Sequence, residues 1–160
     1  MTDPYRPPGA PVRDPQAAPG RSTPVAIVLG FAVDIGGTMV FSLAAATVAS
    51  ILLVSGGTAP EGLGAALAES ATFKLVSLAG GLACTVLGGY AAARFANRAE
   101  YATAFAVGVV SLLFGEAMML FTTETASWWM RLAGDLLVIP AAVLGGHLRV
   151  LQKGAAPARR

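Results

Sequence analysis

Four long apolar runs separated by short polar segments set the pattern of this chain, at about 25–54, 72–94, 102–122 and 127–150. A helix that crosses a bilayer needs about 20 mainly apolar residues at 1.5 Å rise each, and every run meets that length. The first is longer than one crossing requires, which predicts a helix that tilts or protrudes into the headgroups, with Gly56-Gly57 closing it. Between the first two runs, PEGLGAALAES reads as a short interfacial helix. The connections NRAE and TTETAS are each short enough to make an antiparallel hairpin. The pattern predicts an all-α, polytopic membrane protein, with four transmembrane helices paired as two antiparallel hairpins in a domain spanning 24–151.

Outside that domain the pattern stops. Residues 1–23 hold Pro4, Pro7, Pro8, Pro11, Pro15 and Pro19 among Gly, Ala, Arg and Asp, with no apolar face to bury, which predicts a disordered Pro-rich tail. A signal peptide would carry its apolar stretch close to the N-terminus. Here the first apolar run begins only at Pro24 and continues far beyond 15 residues, so it reads as a retained membrane helix. Residues 152–160 read as a basic tail.

Composition points the same way. Apolar residues make up 55% of the chain and 19 of its 160 residues are glycine, while only 12% are charged against about a quarter in soluble domains. There is too little charge to coat a soluble globule of this size. One cysteine, Cys84, excludes an internal disulfide framework, and one histidine, His147, leaves no His/Cys metal cluster to assemble. No metal and no cofactor is expected. VDIGGT is not a phosphate-binding loop, and no HExxH or GxSxG occurs, which argues against an enzyme.

Charge also assigns a side. Arg6, Arg13, Arg21, Arg94, Arg98, Arg149, Lys153, Arg159 and Arg160 fall on one face of the four-span topology, and only Lys74 and Arg131 on the other. By the positive-inside rule, nine against two predicts both termini in the cytoplasm, Trp128 and Trp129 at the outer interface and Tyr101 at the inner one. The tail's arginines are too few and too interrupted by Asp3 and Asp14 to predict nucleic-acid binding, and attraction to anionic lipid is enough to account for them. The expected partners are the lipid bilayer and either a second copy of the chain or another membrane protein.

Small residues mark the expected packing faces, because lipid gives helices no hydrophobic reason to associate and close approach depends on small side chains. The second run supplies Ser77, Gly81, Thr85, Gly88 and Ala92; the third supplies Ala104, Gly108, Ser111 and Gly115; the first adds Gly30, Gly37 and Thr38 around Asp34. Gly81, Gly88, Gly108 and Gly115 are the principal packing candidates, within one bundle or between copies. A shift of 57 residues aligns Val86-Leu87-Gly88-Gly89-Tyr90 with Val143-Leu144-Gly145-Gly146-His147, an echo that would make the second and fourth spans parallel equivalents.

The central segment GGLACTVLGGYAAARFANRAEYATAFAVGVVSLLFG, with LGG near the end, resembles small bacterial four-helix integral membrane proteins of uncharacterised function, in which a GGYxAAR-type helix end, a short polar turn and a Gly-bearing helix recur. The resemblance covers roughly residues 78–115 and 143–147, under a third of the chain, and its motifs are packing glycines and positive-inside arginines. It implies a bacterial inner-membrane protein and carries over no catalytic residue.

Three acids fall inside the spans, and ionisable groups at membrane depth are by default candidates for function. Asp34 lies about 13 Å into the first span, near the midplane, with no cation at its depth; a protonated carboxyl hydrogen-bonded to a neighbouring helix is the structural expectation. Glu116 and Asp135 share a level nearer the outer surface, and Arg131 stands one helical turn from Asp135. These three predict either an ion-paired clasp between the third and fourth spans or a polar cavity for an ion, proton or solute. Pro140 removes one backbone donor in mid-span and frees the Leu136 carbonyl. The expectation is a structural or partner-binding membrane component; the alternative is a minimal ion, proton or small-solute conduit or transporter-like protein using the intramembrane acids.

Overall fold

The computed structural model describes residues 23–96, 99–121 and 128–155. Among them the regular elements are all helical: α1 (Thr23–Ser55), a 3-10 turn (Pro60–Gly62), α2 (Leu63–Glu69), α3 (Ala71–Ala96), α4 (Glu100–Met119) and α5 (Trp128–Ala155). The Pro-rich tail up to residue 22, Asn97 and Arg98 of the polar turn, the TTETAS connection and residues 156–160 lie outside the described residues. Four helices, α1, α3, α4 and α5, are long and apolar enough to cross a membrane.

Where the bulky side chains point is the signature of a lipid-facing fold. The fully buried apolar positions are small: Ala26, Ala92, Ala93, Ala104 and Ala142 have no exposed surface, and the largest fully buried side chains are Val107 and Thr103. Leu43, Val40, Met39, Leu113, Leu136 and Phe121 face outward instead. Water would not tolerate such a surface, since contiguous apolar patches on soluble monomers stay at a few hundred Å². Hydrocarbon does, and it leaves close backbone contact as the force that gathers the helices.

Helix limits follow local chemistry. α1 has 33 residues, about 50 Å of helix against a hydrocarbon core of about 30 Å. It ends as Gly56-Gly57 predicts. Gly57 takes a left-handed φ of 93°, and its N–H donates to Val54 while that of Thr58 donates to Leu53, which satisfies the last carbonyls. α5 continues through Pro140 and past residue 150, where the basic tail was expected to take over nearby at 152, and runs to Ala155. Its last turns are tied laterally: the Tyr90 hydroxyl donates to Gln152 Oε1 at 2.7 Å, and Lys153 Nζ to Glu100 Oε1 at 2.8 Å.

Contacts between particular residues set the register. Gly30 meets Gly88 and Ala92, Gly37 meets Cys84, and Phe41 covers Gly80, so α1 and α3 run in opposite directions. Ala104 lies against Gly146 and Gly108 against Ile139 and Ala142, which gives α4 and α5 the same relation. Leu78 faces Gly134, and Gly89 packs on the Ala142 backbone, so α3 and α5 lie side by side in one direction. The termini of α1 and α5 that carry Thr23 and Ala155 therefore share one end of the bundle, and α2 sits at the other.

Candidate functional site

Asp34 occupies the centre of the bundle. α1 carries it inward between Gly30, where α3 approaches too closely for a larger side chain, and Gly37, which packs on the Cys84 side chain. Only 3% of Asp34 is exposed. Its Oδ1 accepts from the Thr85 hydroxyl on α3 at 2.9 Å, and its Oδ2 from the Ser111 hydroxyl on α4 at 2.5 Å. One hydrogen bond to each oxygen of a single carboxyl thus joins three helices. The sequence predicts a protonated carboxyl bonded to one neighbouring helix; here hydroxyls on two helices donate to Asp34, from residues whose small size marks them only as packing positions. Among the described residues no buried side-chain nitrogen or oxygen lacks a partner, and no cation pairs with Asp34.

Thr85 can send its single proton two ways. Its oxygen is also 3.2 Å from the Gly81 carbonyl one turn back on α3. If that carbonyl takes the proton, the Thr85 oxygen is left to accept from a protonated Asp34; if Asp34 takes it, the carboxylate is the acceptor. The site therefore satisfies its hydrogen bonds in either protonation state.

A cleft of about 380 Å³ leads to Asp34 from the α2 end of the bundle and is lined by all four long helices. Gly81 and Gly115 border it, and among the described residues no atom beyond the local helix backbone lies within 4 Å of where a Cβ on either would sit. Neither glycine brings two helices together here; both leave room. The close approaches are instead at Gly88 and Gly108 and at Gly30, Gly89 and Gly145. Directly beyond Asp34 the cleft ends. A Cβ at Gly30 would stand 2.7 Å from the Gly88 carbonyl oxygen and 3.0 Å from the fully buried Val107.

The remaining candidates gather near the mouth. Arg131 on α5 makes an ion pair with Glu116 on α4, its Nη2 on Oε2 and its Nε 3.3 Å from Oε1. Asp135 is 4.0 Å from the same Nε, a looser i,i+4 contact. The side chains of all three remain 39–48% exposed. The clasp between α4 and α5 exists, with Glu116 as its principal partner and Asp135 turned partly into the cleft. One arginine serves two acids. The structure thus separates the four candidates into a central carboxyl, Asp34, and a peripheral group, with Asp135 and Asp34 sharing the cleft.

At the opposite end His147 is held by Tyr101, hydroxyl to Nδ1 at 2.7 Å, next to the Glu100–Lys153 pair. Among the described residues no three His, Cys, Asp or Glu side chains come close enough to hold a metal ion together. No protein-family model, curated protein or solved structure matches the chain.

Proposed function

We propose that this chain is a binding component of a membrane, a protein that receives a partner or ligand in its one-sided cleft, and not a conduit. One observation carries the reading. The cleft stops at Asp34, where α1 and α3 close on each other through Gly30 and Gly88 with Val107 packed alongside. A conduit would need polar, open space on both sides of the acid, as ionisable groups on ion or proton pathways face water-filled cavities. The basic residues, nine against two, support both termini being cytoplasmic, and in the bacterial inner membrane that the resemblance implies this opens the cleft to the periplasmic side.

The test uses the full chain in sealed vesicles. A Ser77→Cys variant, built on Cys84→Ala so that the cleft thiol is the only one, should react with a membrane-impermeant maleimide from the α2 side. The vesicles should leak sodium and protons no faster than protein-free ones. Leak well above that background, or a Ser77→Cys thiol that no aqueous reagent reaches, overturns the proposal. Reporter fusions after Arg160 that are active in the periplasm would overturn the assignment of sides.

A further inference from the structure

The charge and shape of the cleft narrow what it receives, an inference that rests on its being a receiving site. Two acids line it, Asp34 at the floor and Asp135 near the mouth, and among the described residues no lysine or arginine does. Asp135 shares Arg131 with Glu116, and among the described residues Asp34 has no ion pair at all. A carboxylate offers about four acceptor sites, and Thr85 and Ser111 use two of those on Asp34. The floor therefore has unused acceptor capacity and an uncompensated negative charge when ionised. Between floor and mouth the walls are mainly apolar, with Leu78, Leu82, Phe114 and Val138 among them beside the hydroxyls of Thr38 and Ser77.

An anion would meet two carboxyls, and a neutral apolar molecule would leave the floor acceptors unmatched. A small inorganic cation would use the floor but not the walls. We infer that the cleft binds a small monovalent organic cation: an ammonium group that donates hydrogen bonds to Asp34, on an apolar body that fills the space between the four long helices. A volume of about 380 Å³ suits a ligand of one ring or a short chain. Binding would replace the missing counter-ion at membrane depth, and the hydroxyls of Thr85 and Ser111 would keep the carboxylate aimed at it. Ionic hydrogen bonds of this kind are worth roughly tenfold or more in a binding constant over their absence.

Benzylammonium is the probe, with benzyl alcohol and phenylacetate as its neutral and anionic counterparts of similar shape. In mild detergent near neutral pH, benzylammonium should raise the unfolding midpoint of the full chain saturably and bind roughly tenfold or more tightly than benzyl alcohol. Phenylacetate should not bind. Asp34→Asn should abolish the preference for the cation. Should that variant fail to fold, Ser77→Cys on Cys84→Ala supplies the second measurement, because benzylammonium must slow its reaction with maleimide and benzyl alcohol must not at the same concentration. Equal effects of the three probes, or a cation preference that survives Asp34→Asn, overturns the inference. A Ser77→Cys thiol that reacts freely but is not protected by the cation refutes the ligand class while leaving the receiving cleft intact; an unreactive thiol refutes the cleft itself.

Discussion

Replacing glycine by alanine should change stability in opposite directions at two sets of positions in this bundle. At Gly145 an added Cβ would stand 2.0 Å from the Val86 carbonyl oxygen, and at Gly89 it would stand 2.1 Å from that of Ala142. Ordinary contact begins near 3.4 Å, so α3 and α5 must part by about 1.4 Å along that direction. Both obstacles are backbone atoms and cannot swing aside. Separation of that size forfeits half or more of each dispersion contact along the seam, and overpacking typically costs about 1–3 kcal/mol. At Gly81 and Gly36 nothing lies within 4 Å, and alanine there gains helix propensity of about 0.5–1 kcal/mol. We expect Gly145→Ala and Gly89→Ala to lose about 2 kcal/mol and Gly81→Ala and Gly36→Ala to gain up to about 1 kcal/mol, a spread of about 3 kcal/mol from one added methyl. Unfolding in mixed micelles with rising SDS, followed through Trp128 and Trp129, measures it. Identical stabilities for the two sets, within about 0.5 kcal/mol, would mean that the α3–α5 seam is not the close backbone contact on which this estimate stands.

Three further outcomes can be checked in the same assay. Asp34→Leu removes the acceptor from two interhelical hydrogen bonds and should cost about 1 kcal/mol per bond, whereas Asp34→Asn keeps one acceptor and should cost less. Ala99→Gly relieves a non-glycine residue held at φ 51° ahead of α4 and should stabilise the fold by up to about 1 kcal/mol. Arg131→Ala leaves Glu116 and Asp135 facing each other without their shared cation, and should destabilise more than joint replacement of all three by neutral residues of similar size; high salt should shrink the difference.

The fold was legible because lipid imposes a length. Twenty apolar residues cannot do much else, and the run at 72–94 differs from α3 by one or two residues at each end. The end of α5 was not legible, since Gln152 and Lys153 are helical in company with Tyr90 and Glu100, partners 62 and 53 residues away. In the candidate site the pairing of Arg131 with Asp135 could be read from i,i+4 spacing and the membership of Glu116 from its shared depth, but that Glu116 takes the closer contact depends on how α4 faces α5. Thr85 and Ser111 were visible as small residues on packing stripes. Their role as donors to Asp34 depends on three helices arriving in register, and a single stripe holds no such information. Gly81 and Gly115 show the same limit: spacing placed them with Gly88 and Gly108, and only the assembled bundle shows them at the edges of a void.

The small, bulk-free interior also fixes how this protein should respond to temperature. In a soluble domain unfolding wets the core, and the resulting heat-capacity increase bends stability into a dome with a cold as well as a hot edge. Here Leu43, Leu113, Leu136 and Phe121 already face the surroundings in the folded state, and pulling the helices apart within lipid exposes mainly alanine and glycine surface to hydrocarbon. Little apolar area changes solvent. The heat-capacity change of helix separation should therefore be close to zero, so that stability falls along a nearly straight line on heating and the bundle has no tendency to come apart in the cold.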